Sequence, residues 1–198
     1  METTRRGSVP ERIVRAAAAL FRKQGYNATS MRDIADAVGM SKAGLYHHYP
    51  TKEELLTEIA TVGTDALIAQ LRAAEGLSVD PTERLRQFIR GRMRVIADEQ
   101  DILTVIWQER PTIDQTAFTK IAQQLEAYRA GLTDMISAAR QAGTIRADID
   151  PHLLMLAIDG MTGWAYLWMR PAQRYSPEEI GDRFWDYLFL GAITPGTH

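Results

Sequence analysis

The sequence contains no cysteine. That excludes disulfides, zinc–thiolate centres and a cysteine nucleophile together. Long apolar runs are missing too. Nowhere do about 18 uninterrupted apolar residues occur, roughly the minimum for a helix that crosses a bilayer. The opening METTRRGSVPER lacks the apolar stretch of a secretory leader. A cytoplasmic protein with no membrane partner is therefore expected. Catalytic signatures are also lacking: there is no G-x-S-x-G, no phosphate loop and no H-E-x-x-H. Asp148 and Asp150 lie close together, but turn and capping roles explain both. Ser137 and Ser176 have no histidine neighbourhood in sequence. Neither an enzyme nor a cofactor is expected.

What is present is ordinary globular material. The chain has 198 residues, 45% of them hydrophobic and 24% charged. That suffices for a sizeable core in one domain or two small ones. The net charge of −2 hides an asymmetry. Residues 1–55 carry nine Lys/Arg and six Asp/Glu, a balance of +3. The remainder carries 14 basic and 19 acidic residues, a balance of −5. An anion-facing surface near the N-terminus is the reading this favours.

Apolar spacing is helical throughout, so the chain reads as all-α with about nine helices. In VPERIVRAAAALFRKQGY, Ile13, Val14, Ala17, Leu20 and Phe21 share one face, Pro10 suits a first turn and Gly25 a stop. TSMRDIADAVG opens on Thr29/Ser30 with Asp33 three residues after Ser30, a capping arrangement. Ser41 caps the next short segment, which stops before Pro50. Thr51 starts a long helix over residues 52–74 with Glu53 and Glu54 at its positive end. Further helices are predicted over 81–99, 101–109, 114–142, 150–170 and 176–191. Within 114–142, Ile121, Leu125, Tyr128, Leu132, Met135 and Ala139 form a stripe. The last two helices are apolar around most of their circumference. Such helices need cover on nearly all sides, which points to half core and half subunit interface, with Gly160 and Gly163 allowing close backbone approach.

Three short helices with tight turns at the N-terminus form a helix-turn-helix pattern. MRDIADAVGMSKAGLYHHY gives a supporting helix, a turn at Gly39-Met40 and a second helix. Gly39 tolerates the positive φ that the turn requires. Ile34, Ala35, Val38 and Leu45 clamp the two helices. The exposed positions are then Ser41, Lys42, Ala43, Gly44, His47 and His48, and the N-terminal part of such a helix enters the major groove. A metal at His47-His48 does not fit: neighbours on a helix point about 100° apart and cannot share one ion. Tyr49, before a proline, is read as a packing residue. Arg5 and Arg6 are either a minor-groove arm or a tail.

The stretch from Ile13-Val14 through LF, GY, ATSMRDIADAVGMSKAGLYHHYPTKEELL resembles the DNA-binding domain of the TetR family of transcriptional regulators. The match covers roughly residues 10–56. The remainder is similar in layout, and the ending WMRPAQRYSPEEIGDRFWDYLFLGAI resembles the branch called KstR-like, regulators of steroid and fatty-acid catabolism. The resemblance implies a domain at 1–55 that binds DNA and one at 56–198 that binds ligand and dimerises. It implies phosphate proximity for Thr29 and Ser30, an apolar base contact for Met31, and a place in the recognition helix for Ser41. It further implies guanine recognition by Lys42, close approach at Ala43 and Gly44, and phosphate contact by Tyr46. His47 becomes a base contact, His48 a phosphate contact and Lys52 a phosphate lysine.

The same resemblance implies a homodimer on a palindromic operator, released by a small apolar effector. The KstR-like ending implies an acyl-CoA or a steroid-derived thioester. Residues too large or too polar for routine core positions are the pocket candidates: Met93, Trp107, Tyr128, Met155, Asp159, Trp164 and Trp168. Packing in the core or at a dimer interface is the competing reading of each. Arg92, Arg94 and Arg170 are read either as partners of an anionic group or as solvated surface. A regulator switched by a protein partner, without a small ligand, stays open as an alternative.

Overall fold

The computed structural model describes residues 7–109, 113, 115–170 and 174–190. Arg5 and Arg6 lie outside them, as do parts of the KstR-like ending. Among the described residues there are helices and no strands. In chain order they are α1 (Val9–Gln24), α2 (Met31–Val38), α3 (Lys42–His48), α4 (Lys52–Glu75), α5 (Pro81–Asp98), α6 (Gln100–Gln108), α7 (Gln115–Gln141), α8 (Pro151–Gly163), α9 (Ala165–Trp168) and α10 (Pro177–Phe189). The predicted helix over 150–170 is interrupted at Trp164, so α9 is a one-turn continuation of α8. Counted together, they restore the nine helices that the sequence predicts.

The chain packs as two compact units. The first holds Met1–Asp65 and Glu99–Gln123; the second holds Ala66–Asp98 and Gln124–His198. In the first, α1 begins with Ser8 and Glu11 capping each other, and it ends at Gly25 with φ 90°. Ile13, Val14, Ala17, Ala18 and Phe21 are buried, while Leu20 is half-buried. The α1 helix packs on α2 and on α6. Two ion pairs reinforce the second contact: Arg15 to Glu99 at 2.8 Å and Arg22 to Asp101 at 2.5 Å. Gly63 on α4 lies so close to α6 that a Cβ there would stand 2.5 Å from the Ile106 side chain.

In the second unit, α5 and α10 are the most closely packed pair. Gly181 permits this, because a Cβ at that position would sit 2.8 Å from the Arg90 Cα. Leu85, Phe88, Ile89, Tyr128, Leu132, Met135, Ile136, Met155, Ile158 and Trp185 belong to one buried cluster. Each large apolar side chain withdrawn from water there stabilises the unit by roughly 1.5–3 kcal/mol. The α7 stripe predicted from the sequence is buried except at Leu125, which is half-buried. Asp150 caps α8, accepting from the His152 and Leu153 N–H groups, as its place before Pro151 foreshadows.

Candidate nucleic-acid interface

The two helices of the motif are fixed by local chemistry. Ser30 Oγ accepts from the Asp33 N–H at 3.2 Å, and the Ser30 N–H donates to the Asp33 carboxylate at 2.8 Å. The Ser30 backbone N–H, then the Ser30 hydroxyl, hold the Asp33 carboxyl below the usual carboxylate range. At the other end Gly39 is left-handed, with φ 76° and ψ 38°, and Arg12 of α1 donates to the Val38 carbonyl at 2.9 Å. The chain turns there without strain and enters α3 through Ser41, whose Oγ accepts from the Gly44 N–H at 3.1 Å. Leu45 is fully buried and anchors α3. Ile34 and Ala35 are buried and Val38 is half-buried.

That anchoring decides what faces outward. Ser41, Lys42, Ala43, Tyr46, His47 and His48 are exposed, and Gly44 is half-exposed. These side chains form one continuous surface on a seven-residue helix. The Lys42 ammonium lies 5.5 Å from the Tyr46 ring centroid, and the His47 and His48 rings meet edge to face at 5.7 Å. Tyr49 is half-buried, and burial first, then Glu58, raises its phenol above the usual range.

Four further positions of the expected site are buried or already engaged by the protein itself. Thr29 is buried; its hydroxyl donates to the Gly25 carbonyl at 2.8 Å and accepts from the Gln24 amide at 3.2 Å. Its hydroxyl ties the loop between α1 and α2, so any proximity of Thr29 to phosphate would not be through that group. Met31 is also buried, at 7% exposure, so its side chain serves the core rather than a thymine methyl. Ser30 is exposed, but its hydroxyl is already engaged with Asp33. Lys52 is half-buried, donating to the Tyr26 carbonyl at 2.9 Å and the Thr29 carbonyl at 3.0 Å.

The pocket candidates divide in the same way. Met93, Tyr128 and Met155 are buried, and Asp159 is mostly covered. Trp164 is 61% exposed and Trp168 43% exposed, so neither lines the interior of the second unit. Trp107 is exposed and belongs to the first unit, apart from the other candidates. Of the two readings of Trp164 and Trp168, pocket lining or packing at a dimer interface, their exposure suits the second. A groove of about 250 Å³ is lined by residues that include Ile68, Leu71, Gln124, Ala127, Tyr128 and Gly131. Tyr128 is the only sequence candidate among its lining residues.

The sequence reading left Arg92 undecided, and it is buried. Its Nη2 lies 2.8 Å from Asp159 Oδ1, while Arg129 Nε lies 3.6 Å from Asp159 Oδ2. The Arg92 guanidinium also stands 5.3 Å from the Tyr128 ring centroid. Burial pulls the Arg92 pKa below the ordinary arginine range, Asp159 opposes this, and Arg129 adds to it. A signal for this burial exists in the sequence. Phe88, Arg92 and Ile96 follow at steps of four, which places the arginine on the apolar face of α5.

Comparison with known proteins fits this architecture. Residues 13–59 match the model for bacterial regulatory proteins of the tetR family. Residues 78–192 match the model for a tetracyclin repressor-like C-terminal domain. The HTH-type transcriptional repressor KstR2 of Mycobacterium tuberculosis is 30% identical over 193 residues, covering 96% of this chain and 94% of KstR2. The solved structure of that ketosteroid transcriptional regulator superposes with a TM-score of 0.84 at 26% identity, covering 93% of this chain and 95% of KstR2. The TetR-family regulator PfmR of Thermus thermophilus gives 0.86 at 30% identity, covering 92% and 100% of the two chains. AibR, solved with isovaleryl coenzyme A and operator DNA, gives 0.79 at 34% identity, covering 91% and 97%. The chain belongs to the TetR family, and it is a DNA-binding helix-turn-helix transcriptional regulator similar to the KstR2 repressors.

Proposed function

We propose that this protein is a cytoplasmic repressor that binds a palindromic operator as a homodimer and leaves it when a small, mostly apolar effector binds. The observation that carries the reading is the exposed face of α3, with Lys42, Tyr46, His47 and His48 presented on a helix anchored by Leu45. In the proposal Lys42 and His47 read base edges, and Ala43 and Gly44 allow close approach. Ser41, Tyr46 and His48 grip phosphate, which supplies most of the affinity and a steep salt dependence. Ser30 and Lys52 contribute at the edge of the site: the third N–H of the Lys52 ammonium is still available to a phosphate. The recognition helices of two subunits would read half-sites about 34 Å apart.

Dimerisation is supported by an apolar stripe on α8 and α9. Leu153, Leu156, Trp164 and Leu167 recur at helical spacing, are 46–63% exposed, and flank Gly160, whose Cβ position meets nothing within 4 Å. Tyr187 and Leu190 add exposed apolar surface at the end of α10. A patch of this kind marks an interface more often than bare surface. The domain at 1–55 would carry DNA and the one at 56–198 the effector and the partner subunit. A ligand releases DNA only through its differential affinity for the bound and free states.

In the proposal the effector is an acyl-CoA ester or a steroid-derived thioester, a reading supported by AibR, solved with isovaleryl coenzyme A, and by KstR2, a ketosteroid regulator. The deciding experiment is an electrophoretic shift of the protein's own promoter region with and without a panel of acyl-CoA esters. A shift that selected esters abolish is the expected result. A shift that none of them releases would favour a regulator switched by a protein partner. No shift at all would overturn the regulator assignment for that promoter.

A further inference from the structure

Arg92 is an arginine only 5% exposed, in the middle of an apolar helix face. Of its guanidinium nitrogens, Nη2 meets Asp159, but Nε and Nη1 are buried without a hydrogen-bond partner. The hydroxyl of Tyr128, 3% exposed overall, is likewise buried without a partner. Unused buried donors of this kind usually cost about 1–3 kcal/mol each, more for a charged group. Asp159 is shared: Arg129 also reaches it, and Arg129 is partly exposed and lies 3.9 Å from Glu126 as well. The buried cation is therefore Arg92 alone, in an aromatic setting with Phe88 6.2 Å from Tyr128.

We propose that Arg92, packed against the Tyr128 ring, is the anchor for a carboxylate on an otherwise apolar effector. The unpartnered guanidinium N–H groups of Arg92 call for an anionic acceptor, and a carboxylate is the smallest one that an apolar ligand commonly carries. The apolar body of the ligand has a place to go: Tyr128 also lines the groove of about 250 Å³, between the apolar Ile68, Leu71 and Ala127 and the polar Arg72, Glu75 and Gln124. Arginine N–H groups meeting a carboxylate in a site of low dielectric form strong charge-assisted hydrogen bonds. Asp159 then acts as a positioning residue, holding the guanidinium from one side and leaving Nε and Nη1 for the ligand. The inference rests on the effector-released reading above but departs from its thioester class: a thioester carries no free carboxylate at the acyl end, so the group recognised is a free acid or a second, unesterified carboxylate.

The test uses the full chain without DNA at neutral pH, with decanoate against methyl decanoate, read by thermal melting and calorimetric titration. Decanoate is expected to bind at least ten-fold more tightly than the ester. Arg92→Met should reduce that ratio to near one. Because Arg92→Met strands a buried carboxylate and risks unfolding, Arg92→Lys serves as the second variant and should retain a reduced preference for the acid. The acid–ester comparison on the unmodified protein needs no variant at all. Equal binding of acid and ester would overturn the anchor while leaving an apolar effector intact. Binding of neither would also overturn it, and so would equal stabilisation by chloride or inorganic phosphate alone, which would mark a structural ion site. Carboxylate-selective binding that leaves an operator complex undisturbed would uphold the anchor and overturn the effector-released reading instead.

Discussion

The ammonium of Lys52 sits 4.2 Å from the Tyr26 ring centroid and donates at 2.9 Å to the carbonyl of that same residue. With its second bond, to the Thr29 carbonyl, Lys52 binds the start of α4 to the loop between α1 and α2. Replacing it by methionine removes both bonds; the Tyr26 carbonyl keeps the Thr29 N–H at 3.2 Å, while the Thr29 carbonyl loses the ammonium. The expected loss is about 1.5–3 kcal/mol of stability, read from the midpoint of urea denaturation. Operator affinity should fall in the same variant. An unchanged midpoint would return Lys52 to a purely DNA-facing role.

Lys42 offers the opposite case. It is exposed, and its nearest aromatic contact is Tyr46 at 5.5 Å. Lys42→Ala should leave the melting temperature within error. Operator binding should weaken by about 1–3 kcal/mol, and the preference at one base position should relax. Binding titrations against an operator and its single-base variants would reveal both effects. Full retention of affinity and preference would remove Lys42 from the base-reading set.

Trp164 tests the outer stripe. At 61% exposure it contributes little to the core of its own subunit. Trp164→Glu should therefore convert dimer to monomer in analytical ultracentrifugation while preserving the helical circular dichroism signal. A variant that stays dimeric would move the interface away from α8 and α9.

Gly181 tests the contact between α5 and α10. A Cβ there would stand 2.8 Å from the Arg90 Cα and 3.2 Å from the Arg90 backbone nitrogen, and backbone cannot swing aside as a side chain does. Gly181→Ala should cost about 1–3 kcal/mol through overpacking, despite the better helix propensity of alanine. Thermal melting of the two proteins side by side measures the sign directly.

The fold was legible in the sequence wherever a single periodicity governed burial. Ile13, Val14, Ala17 and Phe21 on α1, and Tyr128, Leu132, Met135 and Ala139 on α7, are buried as their spacing demands. Caps were legible for the same local reason: Ser30 with Asp33, Ser41, Thr51 and Asp150 all accept the backbone N–H groups that their positions imply. What escaped was the allocation of polar side chains between inside and outside. Thr29 and Lys52 are polar residues in a DNA-binding motif, and residue type alone does not show that carbonyls of the loop between α1 and α2 engage both. Trp164 and Trp168 stayed open between pocket and interface because hydrophobicity does not reveal which face of an all-round apolar helix meets its own subunit. Arg92 escaped because α5 also carries Arg84, Arg86, Arg90 and Arg94, and one buried arginine is hard to see among exposed or partly exposed ones.

The pairing of Arg15 with Glu99 and of Arg22 with Asp101 has a practical consequence for anyone building chimeric regulators. Its first compact unit is written in two separate stretches, and α6 returns to cover α1. A reader head transplanted as residues 1–55 alone would leave behind the helix that covers one flank of α1 and two of its ionic ties. The transferable cassette is discontinuous, and a graft that carries α6 along should keep its solubility where the shorter one loses it.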